Sequence, residues 1–194
     1  MINEKDFLRI KKELVLFDKE REELIKKSRE ILKQSKQAIY LVHRNEFKVA
    51  EKLLEKIEKE IKNIKKTIKC NPKLDFLGAY SVANQEYVEA KCYYGFVKNN
   101  KIPTCSDLNV QVEDYLLGLC DLTGELGRRA VASVIKKEFD NVYKIQDVVD
   151  QIYGLFLQLD LRNGELRKKS DGIKWNLKKI EGIIYDIKIK NMDN

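Results

Sequence analysis

Apolar residues recur along the first third of the chain at steps of three, four and seven, the spacing of one helix face. The pattern predicts a helix over residues 4–44 and, after a turn near Asn45, a second helix over 47–69. Asn71 followed by Pro72 is typical of an N-cap and a first helical residue, so a third helix is expected to begin there and to run to about residue 98.

The second half of the chain continues the helical pattern. After the break at NNKIPT, Ser106 or Asp107 is expected to cap a helix over 107–139, and glycines within it leave room for another helix to pack closely. An amphipathic helix over 145–161 and a last helix over 165–190 complete the chain, separated by an Asn-Gly turn.

No alternating strand pattern and no domain linker interrupt these segments. The predicted fold class is therefore all-α, an elongated bundle of six to seven long, mostly antiparallel helices that forms one domain over residues 1–194.

Composition narrows the class of protein. Hydrophobic residues make up 43% of the chain and charged residues 36%, which is too apolar for disorder and too charged for a membrane protein. No segment approaches the ~20 apolar residues of a membrane span, and the charged N-terminus lacks a signal core, so a cytoplasmic protein is expected. The four cysteines lack the spacing of a zinc site and are expected to be reduced.

The positive charge is concentrated in the first third of the chain. Residues 1–70 hold 20 Lys and Arg against 13 Asp and Glu, which accounts for the whole formal net charge of +7. A local basic surface attracts polyanions, although a solvated Lys/Glu helix face would give the same count.

Two pairs of carboxylates lie within apolar helical segments. Glu86 and Glu89 are three residues apart, and Asp121 and Glu125 are four apart, so each pair occupies one helix face. If the two helices are neighbours, the four carboxylates converge and need protons or a cation, and Mg²⁺ or Mn²⁺ suits such oxygen ligands. Carboxylates at these spacings also occur by chance on charged helices, so solvent-facing acids are the alternative.

Missing residue types narrow the chemistry further. His43 is the only histidine, which excludes a di-iron site built on Glu-x-x-His pairs and leaves little scope for a Ser-His-Asp or Cys-His system. No Gly-rich nucleotide-binding loop follows a strand. Metal-assisted hydrolysis remains, with His43 expected to be structural or a phosphate contact.

The sequence resembles the translin/TRAX family over nearly its whole length. QEYVEA at 85–90 and VEDYLLGLCDLTGELGRRAVASV at 112–134 resemble the catalytic helices of the family's TRAX branch. The stretch at 159–190 is more similar to translin itself, and REE at 21–23 and LVHR at 41–44 fit the family's first helix. The resemblance implies a seven-helix fold that assembles into hollow homo-oligomers, from hexamer to octamer, with RNA inside.

The resemblance also implies a function, a Mg²⁺-dependent endoribonuclease acting on single-stranded RNA, with Mn²⁺ as an alternative to Mg²⁺ and no membrane partner. Carried over residue by residue, the catalytic and metal-binding positions are Glu86, Glu89, Asp121 and Glu125. The expected RNA contacts are Arg21, Arg128, Arg167, Lys168 and Lys169. The alternative is a translin-like protein that binds RNA or single-stranded DNA without cutting it.

Overall fold

The computed structural model describes residues 2–190, and within that range all regular structure is helical. Seven α-helices occur, and a 3-10 turn at Pro72–Phe76 precedes the third. This confirms the all-α fold class. The helices are α1 (Glu4–His43), α2 (Phe47–Cys70), α3 (Gly78–Asn99), α4 (Cys105–Leu108), α5 (Val112–Ile135), α6 (Phe139–Phe156) and α7 (Glu165–Ile189).

Helix α1 has 40 residues and is therefore about 60 Å long. The Asn3 side chain begins it by accepting the backbone N–H groups of Lys5 and Asp6. Asn45, with φ of 60°, ends the segment as expected, because asparagine tolerates the left-handed conformation that a tight reversal needs. The chain then returns as α2, and Asn71 at its far end donates a hydrogen bond to Glu20 of α1.

The core begins only part-way along α1. Every residue from 2 to 16 is exposed, and Leu24 is the first buried residue of the helix. Beyond that point the buried face of α1 packs with the apolar stripe of α2 and with α3. All five aromatic residues of α3 belong to this core: Tyr80, Tyr87, Tyr93, Tyr94 and Phe96.

Helices α1 and α3 lie side by side and run in the same direction. Lys36 lies opposite Glu86, with 3.9 Å between Nζ and Oε2. Seven residues further along both helices, His43 is hydrogen-bonded to Tyr93. The residues near the C-terminal end of α1 therefore face the middle of α3.

Helix α5 also runs parallel to α3. Near the start of both helices, Ser81 donates a hydrogen bond to Asp114 over 2.5 Å. Further along, Gly118 of α5 packs against Val88 and the carbonyl of Gln85. Consecutive long helices mostly run antiparallel. Helices α3 and α5 are an exception, because residues 100–111 lead the chain from the end of α3 back to its start before α5 begins.

The third helix starts later than its N-cap signal predicted. Pro72 begins a 3-10 turn, and the α-helix starts at Gly78. The Asn71 side chain makes no capping bond, and its Nδ2 donates a tertiary hydrogen bond to Glu20.

The helix expected over 107–139 is two helices. Thr104, instead of Ser106 or Asp107, caps the short α4 through a capping box, and Asn109 ends it with φ of 50°. After α5, Lys137 adopts φ of 59°, and α6 starts at Phe139, six residues before the expected start.

No helix of the described part of the chain is both long and apolar enough to cross a membrane. All four cysteines are free thiols, and Cys92 and Cys120 are buried as small hydrophobic residues.

Candidate metal centre and nucleic-acid interface

The four carboxylates singled out in the sequence line one open pocket of about 560 Å³ between α1, α3 and α5. Glu86 and Glu89 come from α3, and Asp121 and Glu125 come from α5. The pairs therefore face each other instead of lying on opposite sides of the bundle. The rest of the lining consists of Lys36, Ile39, Tyr40, Gly124 and Arg128.

A glycine allows this convergence. A Cβ placed on Gly118 would lie 2.7 Å from the Val88 side chain and 2.8 Å from the Gln85 carbonyl oxygen, closer than real Cβ atoms approach. Gly118 lies one turn before Asp121, and Val88 is next to Glu89. The close contact at Gly118 thus brings the two acid pairs together, whereas a Cβ on Gly127 would meet nothing within 4 Å.

Glu89 lies deepest among the four acids and is only 7% exposed. Its pKa is raised to about 8, first by burial and then by the charges of Glu86, Asp121 and Glu125. The pKa of Glu86 is also raised, again mainly by burial, although Lys36 opposes the shift. A buried carboxyl among other carboxyls is stabilised when it binds a proton or a cation.

Glu125 is already partnered. His43 Nε2 is hydrogen-bonded to Oε2 of Glu125, and this bond is the main reason that the pKa of Glu125 is lowered. Arg128 contributes from the same helix, with 3.6 Å between NH1 and Oε2. Behind the histidine, the Tyr93 hydroxyl lies 2.9 Å from His43 Nδ1.

Asp121 has a partner from a fourth helix. Lys169 of α7 reaches across the pocket edge and donates a hydrogen bond of 2.6 Å to Oδ2 of Asp121. In the structure Lys169 thus forms an ion pair with one of the acids, and its predicted contact with RNA stays a prediction.

The carboxylate donor set fits a hard divalent cation. The pKa of Glu89 is raised mainly by burial and further by the neighbouring carboxylates, and a bound cation would offset both effects. Within residues 2–190, however, no three acidic, histidine or cysteine side chains converge closely enough to hold a metal ion. Metal binding would therefore require side chains to turn toward the ion.

The other basic residues predicted to contact RNA are spread over the surface. Arg128 lies at the pocket and is largely exposed. Arg21 pairs with Glu22 and lies 15 residues before Lys36 on α1, about 22 Å along the helix. Arg167 and Lys168 are exposed outside the lining of the acid pocket.

Sequence reasoning missed the contribution of α1. Lys36, Tyr40 and His43 follow one another at steps of four and three, so they share one helix face. This spacing could have marked a polar face. Nothing in the sequence, however, indicates that Glu125, 82 residues away, is the partner of His43.

Comparison with known proteins agrees with the sequence resemblance. A sequence model of the translin family matches residues 19–191. The chain belongs to the translin family. Translin of Gallus gallus is 36% identical over 85 residues, 44% of this chain and 37% of that protein. Translin-associated protein X of Mus musculus is 26% identical over 151 residues, 61% of this chain and 52% of that protein. The matches thus span between about a third and a half of these curated translin-family relatives.

Solved structures match over more of the chain. The crystal structure of apo-NeC3PO superposes with a TM-score of 0.87 at 29% identity, covering 95% of this chain and 97% of that one. AfC3PO superposes with a TM-score of 0.87 at 26% identity, covering 95% of this chain and 98% of that one. AfC3PO in complex with duplex RNA superposes with a TM-score of 0.88 at 24% identity, covering 97% of this chain and 100% of that one. Identity at this level supports the fold alone.

Proposed function

We propose that this translin-family chain is a metal-dependent endoribonuclease that cuts single-stranded RNA within a homo-oligomeric assembly. The observation that carries the proposal is the convergence of four carboxylates on one pocket, with Glu89 buried among them and its pKa raised to about 8. A chain that only bound RNA would gain nothing from placing four acids where a negatively charged backbone must approach.

Glu86, Glu89, Asp121 and Glu125 would hold Mg²⁺ or Mn²⁺. When bound, the ion supplies an activated water and stabilises the leaving oxygen. The protein's own part is to neutralise and orient the RNA backbone. Arg128 and Lys36 border the acids and are largely exposed, so their cationic groups are available to phosphates.

Single-stranded RNA is proposed as the substrate because the acid-bearing helices resemble those of the TRAX branch, and the open pocket leaves the acids accessible to a strand. A related structure contains duplex RNA, so duplex RNA is the competing substrate to test. The lining shows no set of hydrogen-bonding groups that would select one base, and we therefore propose cleavage without base specificity.

The second candidate function is RNA binding without cleavage. The ion pair between Lys169 and Asp121 favours it, because an acid already neutralised by lysine is a weaker metal ligand. The sequence similarity to translin, higher than that to translin-associated protein X, points the same way. The two candidates predict opposite results in a cleavage assay.

The proposal is tested with end-labelled RNA, single-stranded and duplex, in Mg²⁺ or in EDTA. We expect the unmodified chain to cut single-stranded RNA only with the metal. Glu89→Gln and Asp121→Asn should each lower the cleavage rate by about 100-fold or more, since each removes a charged metal ligand. Glu55→Gln, at an exposed position on α2, is the matched control and should cut normally.

Binding measured in EDTA separates the roles of the acids and the bases. RNA affinity should hold or rise in Glu89→Gln, because a negative charge near the phosphates is removed. Arg128→Ala should bind RNA more weakly and with a shallower salt dependence. Cleavage that persists in EDTA or survives both acid substitutions would remove the acids from the mechanism. RNA binding with no cleavage under any condition would establish the binding protein instead.

A further inference from the structure

One side chain from each of three parallel helices forms a hydrogen-bonded chain behind the acid pocket. Tyr93 of α3 contacts His43 of α1, with 2.9 Å between the hydroxyl oxygen and Nδ1. His43 in turn contacts Glu125 of α5 through Nε2. Tyr93 is fully buried and the His43 side chain is only 10% exposed, so water competes little for either bond.

The partners define the tautomer of the imidazole. Glu125 meets Nε2 as a carboxylate, which can only accept a hydrogen bond, so Nε2 must carry a proton and donate it. Burial raises the pKa of Tyr93 above its usual value, which keeps its hydroxyl protonated and able to donate to Nδ1. The neutral imidazole in this network is therefore protonated at Nε2 and accepts at Nδ1.

The geometry at Glu125 leaves one oxygen for the pocket. His43 and Arg128 both contact Oε2, and no hydrogen bond or ion pair to Oε1 occurs among the described residues. Arg128 is largely exposed and alone would draw the carboxylate toward solvent. His43 is the buried partner able to hold Oε2 inside the bundle, and Oε1 is left free of both contacts.

We infer that Tyr93 and His43 are positioning residues, which orient Glu125 so that its free oxygen can bind a divalent cation together with the other acids. This inference rests on the proposed function and adds to it two residues that do not touch the metal or the RNA. Removing a group that orients a metal ligand lowers the affinity of the site for the metal by about 10- to 100-fold.

The single histidine of the chain makes the tautomer directly observable. Protein expressed without a histidine tag and labelled with histidine carrying ¹⁵N in the ring alone gives only the two ring nitrogens of His43 in a solid-state magic-angle-spinning spectrum. We expect the metal-free chain to show a protonated Nε2 and an unprotonated Nδ1. A spectrum in which Nδ1 carries the proton would overturn the inference.

The functional test is a Mn²⁺ titration by calorimetry beside single-turnover RNA cleavage. Tyr93→Phe and His43→Leu should each lower Mn²⁺ affinity by about 10-fold or more, with cleavage at subsaturating metal falling in parallel. His43→Gln should retain more affinity than His43→Leu, since its amide can still donate toward Glu125. Tyr94→Phe is the matched control, because Tyr94 on the same helix bonds Lys98 away from the acids.

The outcomes distinguish the two proposals. Unchanged Mn²⁺ affinity in both Tyr93→Phe and His43→Leu, with the unmodified chain binding metal and cutting RNA, would overturn the positioning role alone. A chain that binds no metal and cuts no RNA would overturn the proposed function and this inference with it. A thermal melt of each variant shows whether a loss comes from unfolding, and Tyr93→Phe keeps the buried ring in place.

Discussion

At the scale of single residues, Glu89 shows how the site conflicts with the stability of the fold. Its carboxyl is buried beside three others, and its pKa of about 8 lies well above the ordinary value near 4.5. The folded chain therefore holds a proton there that the unfolded chain loses at lower pH. Between pH ~4.5 and ~8 the unfolded state binds fewer protons at this position, so stability falls as the pH rises.

This fall in stability with rising pH gives a prediction for the metal-free protein. Urea unfolding in EDTA at a fixed protein concentration, from pH 5 to pH 9, should show the free energy of unfolding decreasing with pH. Glu89→Gln should give a shallower decrease because the group that titrates has gone. The exposed-site variant Glu55→Gln should keep the slope of the unmodified chain. An identical slope in all three proteins would show that Glu89 does not hold its proton in this range.

At the scale of helices, the contact between α3 and α5 sets the distance between the acid pairs. Gly118→Ala would force a Cβ against Val88 and the Gln85 backbone. We expect the free energy of unfolding to fall by about 1–3 kcal/mol, the usual cost of overpacking, and RNA cleavage to fall with it as the helices separate.

Gly127→Ala, nine residues later on the same helix, is the control for that prediction. Its Cβ would meet nothing within 4 Å, so only the helix propensity changes. We expect a gain of up to about 1 kcal/mol and normal cleavage. Equal effects of the two substitutions in urea unfolding would show that the close approach at Gly118 is unimportant.

The sequence predicts the helices better than it predicts their ends or their neighbours. Periodicity located α1 and α2 almost to the residue, because a long apolar stripe and a turn at Asn45 agree. The break before α5 was missed because it depends on the capping box at Thr104 and on the positive φ of Asn109. The continuous apolar pattern indicates neither of them. Pairing of His43 with Glu125 is a tertiary contact that no local signal encodes.

At the scale of the whole molecule, α1 extends well beyond the bundle that it helps to form. Its buried face continues toward the N-terminus with the same spacing of three and four, but there nothing in the described chain covers it. The exposed positions of this stripe are Phe7, Ile10 and Leu14. Exposed apolar surface of this kind marks association, and we expect a homo-oligomer of more than two chains.

Assembly is measured by light scattering coupled to size-exclusion chromatography at micromolar concentration. The unmodified chain should elute as a species larger than a dimer. Replacing Phe7 and Leu14 by Gln should weaken assembly, because both lose apolar contact area, whereas Lys12→Gln on the same segment should not. A stable monomer of the unmodified chain would refute the expectation.

The central claim is that four carboxylates form one metal site, and anomalous diffraction from crystals grown with Mn²⁺ tests it most directly. We predict a manganese peak in the pocket between α3 and α5, about 2.1 Å from carboxylate oxygens, with Lys169 displaced from Asp121. Crystals of Glu89→Gln should show a weaker peak or none. A fully occupied manganese site elsewhere, with the pocket empty and Lys169 still paired with Asp121, would contradict the account.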